Sequence, residues 1–194
     1  MHHIIVKLIV STIFLLPTHH MSSTVHRHPI VSVHKQTVAH KHSAYISAAA
    51  LAAGSSGSQS YEPISPAQYG NAVTITRTAY NLGLGARGAV IGVATSLQES
   101  KLFNWDYGTG LSHGLFQQQA PGFGWGTVSQ TLDPVHASVA FFLVLRQVPG
   151  WGRLPLYDAA QTVQRAAYPY AYAQWQSEAA HLVAQIINSG KVRT

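Results

Sequence analysis

Carboxylates are scarce in this chain: six in 194 residues. One of them, Glu99, stands in the stretch SLQESKLFNWDYGTGLSHGLFQQQ, Ser96 to Gln119, where an apolar segment gives way to an aromatic, glycine-rich one. Aromatic neighbours in sequence (Phe103, Trp105, Tyr107, Phe116, Phe123 and Trp125) would hydrate a carboxyl poorly, and poor hydration penalises its charged form. The pKa of Glu99 is therefore expected to rise, so that it holds its proton near neutrality. That is the state a general acid needs. The ordinary alternative is a solvated Glu at a helix end, paired with Lys101. It is opposed by the near absence of charge on the preceding turns and by the helix dipole, which disfavours a carboxylate at a C-terminal end.

The element that must position Glu99 is a helix over about 87–102. At about 100° per residue, Val90, Val93, Ala94 and Leu97 form an apolar stripe that Ile91 and Leu102 widen. Glu99 falls on the opposite face, in line with Gly88, Gly92 and Thr95, a lane of small side chains along which another element can come close. Ser65-Pro66 and Asp133-Pro134 each combine a capping side chain with a proline where no N–H is missed, and so predict helices over about 65–82 and 133–148. Further helices are predicted over LYDAAQTVQRAAY, stopped by Pro169, and YAYAQWQSEAAHLVAQIIN, stopped before Gly190. Between the helices over about 87–102 and 133–148, Phe103 to Gly126 has room for a short hairpin. The expected class is mainly α with one small β or irregular lobe.

Residues 1–60 read as an export leader and flexible linker, and residues 61–194 as the folded domain. Ile4 to Leu16 is an apolar run of 13 residues, shorter than the about 20 needed to span a bilayer but of signal-peptide length. A second signal is possible from Met21: Arg27, Lys35 and Lys41, then SAYISAAALAAG with small residues near Ala52 and Ala53, then the Gly/Ser linker GSSGSQS. The leader holds four basic residues and no acid, and nine of the twelve histidines lie in residues 1–42. The domain, with eight basic and six acidic residues, is only mildly basic. No basic stripe with interleaved aromatics suggests a nucleic acid partner. The chain has no cysteine, and His113, His136 and His181 are too scattered to read as a metal site.

Two motif matches lack their context. Gly110-x-Ser112-x-Gly114 fits a nucleophile elbow but has no strand before it or helix after it. Gly83-x-Gly85-x-x-Gly88 fits a dinucleotide loop but lacks a surrounding parallel sheet, and reads better as a break between two helices.

Glu99-Ser100, a loop and then Ser112-x-Gly114-Leu115-Phe116-Gln117 resembles the Glu-Ser … Gly-Leu-(Met/Phe)-Gln signature of lytic transglycosylases and goose-type lysozymes. The wider run ATSLQES … LDPVHASVAFF … DAAQTVQRAAYPYAYAQW is similar to lysozyme-like domains of actinobacterial secreted proteins, over roughly residues 65–188. The resemblance implies a lysozyme-like α-helical fold with a small hairpin, no cofactor, and a secreted or wall-associated protein whose partner is the glycan strand of peptidoglycan. Glu99 matches the family's acid/base at the β-1,4 bond between N-acetylmuramic acid and N-acetylglucosamine. Ser112, Gln117 and Gln118 would hydrogen-bond the sugars, Trp105, Tyr107, Trp125 and Trp151 could stack on them or serve as core, and Tyr168 would supply an aromatic hydroxyl. The loop acid often found in related domains is missing here, which leaves Asp106 as the nearby candidate for a second carboxylate. Pro169 also replaces the Asn that often follows Ala-Tyr. These departures motivate the alternative of a lysozyme-like module that binds peptidoglycan without cutting it.

Overall fold

A computed structural model describes residues 45–108, 110–122, 124–166 and 168–193. The apolar run at Ile4–Leu16, the Met21 start and the histidine-rich tract lie outside them. The elements in chain order are α1 (Ala48–Leu51), α2 (Pro66–Asn81), α3 (Gly85–Ser100), β1 (Ser112–His113), β2 (Gln118–Gln119), α4 (Val128–Thr131), α5 (Pro134–Leu145), α6 (Leu156–Gln164), a 3₁₀ helix (Pro169–Trp175) and α7 (Gln176–Asn188). The described chain is mainly helical with a small two-stranded antiparallel sheet, Ser112 opposite Gln119 and His113 opposite Gln118. No helix among the described residues is long and apolar enough to cross a membrane.

Both proline-led starts carry their caps. Ser65 Oγ accepts the Gln68 N–H at 3.3 Å, and the Gln68 side chain accepts the Ser65 N–H in return at 2.9 Å. Asp133 Oδ1 accepts the Val135 and His136 N–H groups at 2.8 and 3.0 Å. The expected single helix over residues 170–188 is instead divided. Its first part is the 3₁₀ helix, in which positions three apart eclipse one another, so Tyr172 and Trp175 both turn inward and are buried. The short helices α1 and α4 were not anticipated, because four residues carry no readable period.

α3 runs through the middle of the packing. Every residue from Gly88 to Leu97 is buried, under α2, α5, α7 and the 3₁₀ helix. The lane of small residues does admit a neighbour: a Cβ at Gly92 would sit 2.6 Å from Phe142 Cζ and 2.9 Å from Ile75 Cγ2. VTIT lies inside α2, and Gly83 and Gly85 make the α2–α3 turn with positive φ, so the dinucleotide-loop match is a helix break.

Residues 45–60, set apart by the sequence as leader and linker, pack against the domain. Asn188 on α7 exchanges two hydrogen bonds with the Ile46 backbone, at 2.9 and 3.0 Å, and Gln176 Nε2 donates to the Ala52 and Ala53 carbonyls. Gln59 and Ser60 bond the 3₁₀ helix at Ala173 and Gln174. The sequence pattern missed this because the segment's apolar content is weak and its attachment is mainly through backbone groups.

Gly92→Ala replaces a poor helix former with the best one, worth about 1 kcal/mol in an open helix. Here overpacking against Phe142 and Ile75 is expected to outweigh that gain, at about 1–3 kcal/mol. Thermal unfolding should show a lower Tm for Gly92→Ala than for the native chain.

Candidate functional site

Glu99 occupies the last turn of α3, and the chain leaves that turn under constraint. Lys101 and Leu102 both adopt positive φ, 54° and 63°, which L-residues resist. Side chains from α2 hold them there: Gln68 Nε2 donates to the Lys101 carbonyl at 2.7 Å, and Asn71 Nδ2 to that of Leu102 at 2.8 Å. Leu102 is fully buried, so the apolar stripe read from the sequence closes the turn as well as the helix.

The two halves of the Glu-Ser … Gly-Leu-Phe-Gln pattern meet through one carbonyl. Ser100 Oγ and Ser96 Oγ both donate to the Leu115 carbonyl, at 2.8 and 3.0 Å. Leu115 and Phe116 are fully buried, and Phe116 stacks on Phe141 of α5 at 4.6 Å. Gly114, at φ 72°, lies so close to the Thr131 carbonyl that no Cβ would fit. The pattern thus ties the hairpin to α3 and carries Ser112, Gln117 and Gln118 to the same place as Glu99.

That place is a cavity of about 530 Å³ lined by Glu99, Ser112, Gln117, Gln118, Trp125 and, from α6, Gln164 among others. Tyr172 donates its hydroxyl to Glu99 Oε1 at 2.6 Å. Burial pushes the Glu99 pKa up, and the Tyr172 hydrogen bond, the Gln164 amide and the Lys101 charge pull it only partly back. Tyr172 is itself held protonated by burial and by the adjacent carboxylate, so it remains a donor. Behind Glu99, Gln98 Oε1 accepts from Trp175 Nε1 at 2.8 Å and Gln174 Nε2 at 3.2 Å, and Ser60 Oγ donates to Gln174 Oε1 at 2.7 Å.

Of the residues singled out by the sequence, Glu99, Ser112, Gln117, Gln118 and Trp125 line this cavity, and Trp105, Tyr107 and Trp151 lie outside its lining. Asp106 does not; it is exposed on the loop before β1, with its carbonyl 3.1 Å from His113 Nδ1. Tyr168 does not either: it is 80% exposed, and the tyrosine on Glu99 is Tyr172. The sequence held a signal for Tyr172, since Ala-Tyr recurs at 171–172, but only the 3₁₀ turn makes it the inward one. Gln164 carried no signal. Its amide donates to the Phe116 carbonyl at 2.8 Å and also reaches Glu99.

The cause of the raised pKa also differs in part from the sequence expectation. Phe103 and Tyr107 are exposed, Phe116 is core, and Phe123 lies outside the described residues, so Trp125 is the aromatic of that set at the cavity. The 3₁₀ helix, through Tyr172, and α6, through Gln164, are elements that close on the carboxyl. Ser112 lies in a hairpin followed by a turn rather than a helix, which does not fit a nucleophile elbow. No cluster of three metal-ligating side chains occurs among the described residues. No protein-family model matches the chain, and no curated protein matches its sequence.

The shared carbonyl makes a specific demand on stability. Ser96→Ala or Ser100→Ala alone leaves Leu115 one hydroxyl partner and should cost about 1 kcal/mol. The double variant strips a buried carbonyl of both, adding about 1–3 kcal/mol for the unsatisfied group. Denaturant unfolding of the four proteins should therefore give a loss for the double variant larger than the sum of the single losses.

Proposed function

We propose that this domain is a lysozyme-like glycosidase of the lytic transglycosylase type, exported to act on peptidoglycan at the β-1,4 bond between N-acetylmuramic acid and N-acetylglucosamine. The observation that carries this reading is a lone carboxyl, Glu99, with a raised pKa, in a cavity otherwise lined by amides, a hydroxyl and apolar groups apart from Arg165. A neutral Glu99 would protonate the glycosidic oxygen as the bond to the muramyl anomeric carbon breaks. The Tyr172 hydroxyl on Oε1 fixes the carboxyl's orientation and stabilises the carboxylate that results. That carboxylate then takes the proton of the muramyl 6-hydroxyl as its oxygen closes onto the anomeric carbon. The product is a 1,6-anhydro sugar, and no water is consumed. Hydrolysis commonly uses a second carboxylate, and the exposed position of Asp106 away from the cavity favours the anhydro route.

The test is digestion of purified peptidoglycan with muropeptides read by mass spectrometry. Anhydro ends are expected from the native protein, and Glu99→Gln should lose activity by about 10²–10⁴-fold. Because the folded-state pKa of Glu99 lies above its unfolded value, ionisation destabilises the fold as pH rises between the two, and Glu99→Gln should not lower Tm at neutral pH. Activity needs the protonated form, so it should fall as pH rises through that pKa. Tyr172→Phe removes a bond that favours the carboxylate and should move this fall to higher pH. Co-sedimentation with cell walls without any released muropeptide would instead make the domain a binding module.

A further inference from the structure

Phe103, Trp105 and Tyr107 alternate along an extended loop, so their side chains fall on one side of it and those of Asn104 and Asp106 on the other. Their rings form a ladder, with centroids 4.8 Å apart from Phe103 to Trp105 and 5.1 Å from Trp105 to Tyr107. None of the three joins the hydrophobic core, and Phe103 and Tyr107 are 36% and 63% exposed. Burial therefore does not account for them. A row of aromatics off the core, exposed at Phe103 and Tyr107 and half-buried at Trp105, is a mark of a contact surface.

The ladder is fixed in place, and the loop that carries it packs against two residues of the cavity wall. The Trp105 indole N–H donates inward to the Ser100 carbonyl at 3.2 Å, next to Glu99, and the Trp105 carbonyl accepts the Gly114 N–H at 2.7 Å. Beyond Tyr107 the loop runs hard against the cavity wall: a Cβ on Gly108 would collide with the Gln117 side chain and the Ser112 carbonyl. With its indole N–H used inward, what Trp105 offers outward is carbon surface. Such surface suits the C–H faces of pyranose rings. Three rings make too small a patch for a stable protein interface, which buries on the order of 1,000 Å² or more.

We infer that the Phe103–Trp105–Tyr107 ladder is a sugar-stacking extension of the Glu99 cavity, which holds the part of a β-1,4-linked N-acetylhexosamine strand that emerges past Gln117 and Ser112. The identity of the strand rests on the glycosidase reading; the surface rests on the ring geometry. The probe is a series of β-1,4 N-acetylglucosamine oligomers, from the dimer to the hexamer, titrated against the Glu99→Gln chain by calorimetry and tryptophan fluorescence. Affinity should rise with length. Tyr107→Ala, at the most exposed ring, should weaken the hexamer by about tenfold, the equivalent of about 1.4 kcal/mol, and leave the dimer unchanged. Tyr107→Phe, which keeps the ring, should restore hexamer binding, and Trp105→Ala should flatten the length dependence further.

Absence of oligomer binding, affinity independent of length, or equal hexamer and dimer losses in Tyr107→Ala would overturn the ladder assignment. So would sedimentation showing a dimer of the native chain that Tyr107→Ala dissociates, since the ladder would then be a self-association surface. If anhydro muropeptides appear while the oligomers show no length dependence, the glycosidase reading stands and the ladder fails. If the ladder variants behave as expected but no muropeptide is released, the ladder stands and the catalytic reading fails.

Discussion

The Tyr172 hydroxyl on the Glu99 carboxyl, 2.6 Å apart in a mostly dry setting, is the contact on which the rest of the arrangement turns. A carboxyl at the C-terminal end of a buried helix faces two penalties, lost hydration and the wrong end of the helix dipole. The fold answers with neutral donors and leaves the charged state only partly compensated, the charge of Lys101 adding to the Tyr172 and Gln164 hydrogen bonds. A nearby bidentate arginine would have stabilised the carboxylate and removed the acid. Burial is what holds the proton on Glu99, and the phenol and the amide offset that effect only in part.

Much of the surrounding structure serves that contact. The 3₁₀ helix that presents Tyr172 is tied from behind through Gln174 and Trp175 to Gln98, and from outside through Gln59 and Ser60. Residues 45–60 therefore reach the back of the site, although nothing in their composition suggests it. On the other wall, Ser96 and Ser100 fasten the hairpin to the helix that bears Glu99, so the cavity-lining amides and the carboxyl are set by the same turn of α3.

What the sequence disclosed follows from which signals are local. Proline-led caps at Ser65 and Asp133, the stripe Val90–Leu97 and the glycine lane of α3 are encoded within one element, and each is present where expected. Glu99 was legible because a rare carboxylate at the end of an apolar helix is itself anomalous. Tyr172 and Gln164 were not, because their roles arise only when the 3₁₀ helix and α6 fold over α3. Asp106 and Tyr168 were chosen by proximity in sequence and by analogy, and proximity along a loop does not set direction. Phe103 and Tyr107 are exposed, where they cannot dry the carboxyl, and half-buried Trp105 spends its indole N–H on the Ser100 carbonyl.

The central claim is that burial holds Glu99 protonated above the pH at which an ordinary glutamate ionises. A ¹³C carboxyl titration of the folded protein measures this directly, and with six acidic side chains the spectrum is simple to assign. Glu99 should titrate above the usual glutamate range, and removal of the Tyr172 hydroxyl should move it higher still. A Glu99 signal that titrates at the usual glutamate value of about 4.3, indifferent to Tyr172, would contradict the account.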